Sequence, residues 1–417
     1  SDVYKRQGNT EAYYQLGLSL RAQGRYDEAY DNFYRASWDQ AFHSATFYQL
    51  AELSCRKGAF AEAREQIERS LSTNTLNNKA LSLRSLVLRK LGDYQGAKAA
   101  SSAALANDPL DFFARNERYL ALAAEKAPNV AADALVELRR LMRDEVQSYL
   151  ELAADYMNCG QWDEAIEVLR RPIEAKMPFA ATYPLVHYWL GYLYEQKGIP
   201  AQAHESYARA GAMPSDYCFP FRLEMADVLK AAIRANSSDA RAHYYLGNLL
   251  FDLQPEAAIA CWEKSTAIDD QFAMAHRNLG WAYHRVLNDV DRAVECYEKA
   301  IVRNPMDPRL FFELDSLYEI ANVDPVRRLA VLEKNHEVVR QHQDSLLREI
   351  MVLVLVGRYE QAIDYLSKNH FHAREGTGHI YETYVDAHLL RGLTLSLIHI
   401  SEPTRLLSIS YAVFCLK

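Results

Sequence analysis

A spaced signature returns along this chain about every 34 residues: Leu-Gly or Leu-Ala, then Gly-x-aromatic, then an alanine about a dozen residues after the first pair. The first copy reads Leu16, Gly17, Gly24, Tyr26, Ala29, Phe33 and Ala36; the third keeps Gly92, Tyr94, Ala97, Ala104 and Pro109. A unit of that length holds two short helices and a turn, too little to enclose a core. Each unit must therefore bury its apolar face against its neighbours. The expected fold is all-α: an α-solenoid of helical hairpins wound as a right-handed superhelix, with almost no strand. Arrays of this kind present curved surfaces to other molecules and rarely perform chemistry.

Three clear units occupy 10–43, 44–77 and 78–111, within a segment 8–111. Gly17 and Ala51 sit where a neighbouring helix must come close, as do Ala29, Ala63 and Ala97 in the second helices. A large side chain there would force the backbones apart at a cost of about 1–3 kcal/mol. Gly24, Gly58 and Gly92 end the first helices, where a left-handed residue is easiest for glycine. The markers fade over 112–145, which reads as a degenerate hairpin. They return over 146–217, in units 146–179 and 184–217, with Pro172 expected to shorten one helix and Pro184 and Pro200 fitting first-turn positions. Residues 218–238 read as an irregular half-repeat, its aromatics packed away from water. Units resume over 239–307 (240–272, one residue short in its turn, and 273–307, one residue long), and weaker ones fill 308–394.

Both ends are set apart from this pattern. Residues 1–7 are what TCA GAT GTG TAT AAG AGA CAG encodes, the end of a sequencing-library adapter, and residues 395–417 match companion adapter strings in frame. They are expected to be non-native, leaving a piece of a longer protein from 8 to about 394. Without them Lys plus Arg falls from 47 to 43 and Asp plus Glu from 55 to 53, a net charge of −10. An acidic chain with interspersed signs and no basic block argues against nucleic acid as a partner. Cys55, Cys159, Cys218, Cys261 and Cys296 are scattered without a Cys-x-x-Cys pair. A zinc site or disulfide framework is thus not expected, and a reducing compartment such as the cytoplasm is. No run nears the roughly 20 apolar residues of a membrane helix.

The sequence holds no Gly-rich phosphate loop, no Gly-x-Ser-x-Gly elbow and no dinucleotide fingerprint. His336-Glu337-Val338-Val339-Arg340 begins like a zinc-protease helix, but Arg340 stands where the second ligand belongs. His370, His372 and His379 lack a carboxylate or thiolate at fixed spacing, so the expectation is no metal and no cofactor. Catalysis within this stretch is not expected.

The period and its Leu-Gly, Gly-x-aromatic and Ala markers resemble tetratricopeptide repeats. In that family the first helix lines the concave side through repeat positions two, five, nine, twelve and thirteen. The resemblance implies a binding groove lined by Tyr14 and Arg21, then Tyr48, Glu52 and Arg56, Tyr188 and Tyr192, Tyr244 and Asn248, and Arg277, Trp281, His284 and Arg285. Alternating aromatics and arginines are the residue types of binding hot spots. Tyr244 stands where chaperone-tail-binding members have lysine, which turns the expectation away from a C-terminal carboxylate ligand.

Residues 239–252, with His276-Arg277-Asn278-Leu279-Gly280, Phe312-Glu313-Leu314-Asp315-Ser316-Leu317-Tyr318 and Phe371-His372-Ala373-Arg374-Glu375-Gly376, resemble a family of large bacterial proteins. In these a galactose-mutarotase-like β domain precedes the repeats. Ala373-Arg374 departs from that family's usual Pro-Trp. The resemblance implies an interaction scaffold from a larger bacterial protein, holding a protein or peptide, or an upstream domain of the same chain, in its groove. An accessory helical region of a carbohydrate-active enzyme is the alternative it leaves open.

Overall fold

In the computed structural model the described residues are 10–125, 128–143, 145–369, 371 and 378–395. The adapter-like ends, apart from Leu395, and His370 and His372 lie outside them, as does the side chain of His379. Among the described residues the regular elements are helices, with no strand. The chain divides between Leu249 and Leu250 into two compact units.

The first unit opens with hairpins α1 (Thr10–Ala22) and α2 (Tyr26–Ala36), α3 (Gln40–Arg56) and α4 (Phe60–Thr73), and α5 (Asn78–Lys90) and α6 (Tyr94–Asn107). There follow α7 (Phe112–Ala124) and α8 (Pro128–Met142), α9 (Val146–Asn158) and α10 (Trp162–Glu174), a short α11 (Pro178–Thr182), α12 (Pro184–Gln196) and α13 (Pro200–Gly211), α14 (Met225–Ala235) and α15 (Ala240–Leu250). Gly24, Gly58 and Gly92 carry φ of 74°, 75° and 85°, the left-handed turn that a side chain would strain. Aspartate and asparagine cap the next helices: Asn77 accepts the Ala80 N–H at 3.2 Å and Asp111 that of Ala114 at 2.8 Å.

Stacking comes from the small residues. A Cβ on Gly17 would lie 2.6 Å from the Phe33 ring. Gly191 meets Tyr207 in the same way. An aromatic ring thus fills the space that the missing side chain leaves.

Two local expectations change. Pro172 does not shorten its helix: it lies inside Trp162–Glu174, which at 13 residues is as long as its partner α9. Near the C-terminal end proline forfeits one backbone bond without halting the last turn. Nor are the aromatics of 217–223 packed away. Tyr217, Phe219, Phe221 and Leu223 are exposed while Cys218 and Pro220 are buried. Tyr217 lies in a turn with φ of 54°, and residues 218–221 follow with no regular structure, their burial alternating along the chain.

The second unit contains α16 (Pro255–Ile268), α17 (Ala273–Arg285) and α18 (Val290–Arg303), α19 (Pro308–Ile320) and α20 (Pro325–Lys334). A single turn α21 (His336–Val339), the pair α22 (Gln343–Leu355) and α23 (Tyr359–Lys368), and α24 (Gly378–Leu395) complete it. Its main core joins Phe311, Leu329, Leu332, Leu346, Ile350 and Leu353. Where the turns lack glycine, Asn288 and Asn322 take φ of 51° and 52°, asparagine being the side chain that tolerates this best. His336 of the protease-like stretch donates to or accepts from Glu349 at 2.9 Å and stacks on Tyr365.

Candidate interaction surface

The inner face of the first three hairpins is built from α1, α3 and α5. Charge pairs step along it from one first helix to the next. Arg21 of α1 pairs with Glu52 of α3. Arg89 of α5 pairs with the fully buried Glu117 of α7 at 2.7 Å. The Tyr14 ring packs on Phe33 and Phe42, and Tyr48 Oη donates to Glu52 at 2.8 Å.

This face is covered by the chain itself. The C-terminal end of α9 and the turn into α10 lie on it. Arg56 donates to the Met157 carbonyl at 3.1 Å, its guanidinium between the rings of Tyr26 and Trp162 at 4.2 and 4.8 Å. Arg21 also reaches the Asn158 carbonyl at 3.5 Å. Gln161 Nε2 donates to the carbonyl of Cys55 at 3.2 Å, and Arg89 and Lys90 both hold Glu164. Terminal helix carbonyls carry partial negative charge, so arginines are the fitting partners.

Electrostatics follow from this closure. Burial pushes the Asp155 carboxyl of α9 up to about 7, and nearby Glu52 and Asp111 add to it while Lys79 and Arg222 oppose it. Burial also pushes the thiols of Cys55 and Cys159 up, which leaves them poor nucleophiles. A carboxyl whose folded pKa exceeds its unfolded value of about 3.9 stabilises the fold by holding its proton below neutrality. That stability is lost as pH rises toward 7. Asp155→Asn is therefore expected to raise unfolding free energy at pH 8 by on the order of 2 kcal/mol and to flatten the profile between pH 5 and 8. Urea titrations at several pH values measure this, and an unchanged profile would refute it.

The aromatic candidates further along the unit are also engaged. Tyr188 is fully buried and donates to Asp239 at 2.9 Å; Asp239 in turn accepts the Ala242 N–H at 2.9 Å and caps α15. Tyr192 and Tyr244 are buried, and the rings of Tyr188 and Tyr244 both lie against Tyr245. Asn248 is half-buried.

In the second unit the arrangement differs. Arg277 of α17 pairs with Glu313 of α19. One turn on, Trp281 is 38% exposed and the Arg285 guanidinium lies 4.8 Å from its ring centroid. Arg285 makes no ion pair among the described residues. His284 buries its Nδ1 without a hydrogen-bond partner there. Arg285, Ile320 and Leu355 are the last residues of α17, α19 and α22, and all three are exposed. Of the candidates, then, Trp281 and Arg285 meet solvent together, Arg277 is tied into the fold, and Tyr48, Arg56, Tyr188, Tyr192 and Tyr244 are held within the first unit.

Comparison with known proteins agrees with the hairpin geometry. Residues 275–309 match one tetratricopeptide repeat family profile and residues 11–37 another. The chain carries tetratricopeptide repeats. Similar solved structures include MamA, 23% identical over 48% of this chain and 94% of that one, with a TM-score of 0.26. Yeast Tom70 is 14% identical over 98% and 96%, with a TM-score of 0.30. A tetratricopeptide repeat protein from Parabacteroides merdae ATCC 43184 is 16% identical over 66% and 99%, with a TM-score of 0.32. Tetratricopeptide solenoids typically serve as protein-interaction scaffolds and are typically non-catalytic. No helix among the described residues is long and apolar enough to cross a membrane.

Sequence reasoning missed Gln161, Trp162 and Glu164 as partners of the first repeats. Trp162 reads simply as the aromatic of a Gly-x-aromatic marker. Nothing in its spacing signals a contact more than a hundred residues back with Arg56.

Proposed function

We propose that this chain is the scaffold part of a larger bacterial protein. On this reading its partner, a protein or peptide or another domain of the same protein, docks on the inner face of the second unit around Trp281 and Arg285. One observation supports this reading above the rest. Trp281 presents its ring to solvent beneath an arginine that pairs with no acid among the described residues, while the matching residues of the first unit are occupied internally. Tryptophan and arginine are the residue types that most often dominate binding energy. A cation over an exposed ring suits a ligand that brings an apolar group and an acidic one together.

The test selects peptides from a displayed random library against the intact chain and measures their affinity for Trp281→Ala/Arg285→Ala. Loss of at least tenfold with unchanged helix content is expected. Arg277 is left intact because its removal would strand Glu313. Binders that ignore the double substitution would place the docking site elsewhere.

A further inference from the structure

The seam between the first three repeats and the α9–α10 turn is unlike the seams within those repeats. In the opening repeats each second helix packs on the next first helix, α2 on α3, α4 on α5 and α6 on α7. At α8 and α9 that contact is at most marginal, while α9 packs on its hairpin partner α10 and touches α7 as α1 touches α3. The fifth hairpin therefore lacks the seam on α8, and its turn lies against α3 and α5.

What it meets there is polar. Arg21 and Arg56 hold the last carbonyls of α9, Arg56 stacks on Trp162, and Arg89 with Lys90 holds Glu164. Lys197, just after α12, holds Asp163. The fit is close at one point: Gly160 has φ of 69°, and a Cβ there would lie 2.8 Å from the Arg56 Cα. Elsewhere it is imperfect. Glu164 Oε2 is buried without a hydrogen-bond partner, and Asp155 brings a second carboxyl near Glu52. Apolar stacking seams depend on shape and excluded water, whereas this one depends on charge pairing with a linear segment. Such a contact is replaceable by another segment of the same charge pattern.

We propose that residues 158–164 are an internal ligand of the inner face of the first three repeats. In their place that face takes a partner segment of the same chemistry: the C-terminal turn of a helix, then an aromatic residue and two acidic ones. The chain's own turn is the competitor that a partner must displace. This site is separate from Trp281 and stands whether or not the second unit binds anything.

The experiment uses the full chain, two variants and one probe. Gly160→Val pushes the turn off Arg56 by collision, and Trp162→Ala removes the stacked ring. The probe is a fluorescent synthetic peptide of residues 150–171, with a control carrying alanine at the positions of Trp162, Asp163 and Glu164. Hydrogen exchange at 158–164 is expected to rise at least tenfold in either variant while α3 to α6 keep their protection. The probe is expected to bind the variants at least tenfold more tightly than the parent chain, and the control not to bind. A released turn without probe binding overturns the proposal. So does loss of protection throughout the first unit in both variants, because the turn would then be core. Retained protection with no probe binding in both variants overturns it as well.

Discussion

Replacing Asp315 with alanine is expected to lower the unfolding free energy of the second unit by about 3–5 kcal/mol, the range for stripping one partner from a buried charge group. Asp315 is 2% exposed and receives two bonds from Arg328, both at 2.9 Å, and one from Arg348 at 2.6 Å. Both arginines are buried, and only Arg348 has another acid, Glu319 at 2.8 Å. Without Asp315, Arg328 loses its directly bonded acid in a low-dielectric seam and keeps only the more distant charge of Glu319, which Arg348 already holds. Asp315→Asn keeps the volume and one acceptor, so it should cost less. Replacing all three residues with apolar ones of similar size should recover much of the loss, because paired charges add little beyond their own desolvation. Urea unfolding followed by circular dichroism measures each case. A cost below about 1 kcal/mol for the alanine variant would show that the arginines find water instead.

The second large effect is expected at Gly280→Val, about 3 kcal/mol, at the upper end of overpacking costs. A Cβ at Gly280 would lie 2.5 Å from the Tyr297 ring, and the Ala293 carbonyl is 3.1 Å away. Tyr297 is 1% exposed and has no space to retreat into. A valine therefore separates α17 from α18 or drives the ring off its rotamer. Tyr297→Ala alone should also cost about 3 kcal/mol through its cavity. The double variant should be more stable than the sum of the two losses implies by at least about 1 kcal/mol, since each change relieves the other. Strict additivity would mean that the glycine is present for another reason.

This pairing was legible in the sequence. Gly17 and Phe33, Ala51 and Ile67, Ser85 and Ser101, Ala153 and Leu169, and Gly191 and Tyr207 all stand 16 apart. Gly280 and Tyr297 stand 17 apart because their turn is one residue longer. Where that first-helix residue is glycine it faces an aromatic ring, and where it is alanine or serine the residue at the same spacing is smaller. Hairpin contacts are local, so one period of sequence contains both partners. The left-handed glycines of the turns were legible for the same reason.

The candidate surface was legible only in part. The resemblance to tetratricopeptide repeats implies that Arg56, Tyr48 and Trp281 face inward. It does not say what lies opposite. Arg56 meets the carbonyl of Met157, 101 positions away, and Tyr188 meets Asp239, 51 positions away. Trp281 and Arg285, with the same residue types, are left to solvent.

The amino-acid sequence alone thus determined helices, turns and the nesting of each hairpin, because those depend on residues less than one repeat apart. Tertiary structure decided which of the candidate side chains are covered within their own unit. In the first unit that outcome rests on the missing seam between α8 and α9, where the turn of the fifth hairpin lies against the charged face of the first three. A choice between two packing partners is set by their relative free energies across the folded unit, and no single repeat contains that comparison.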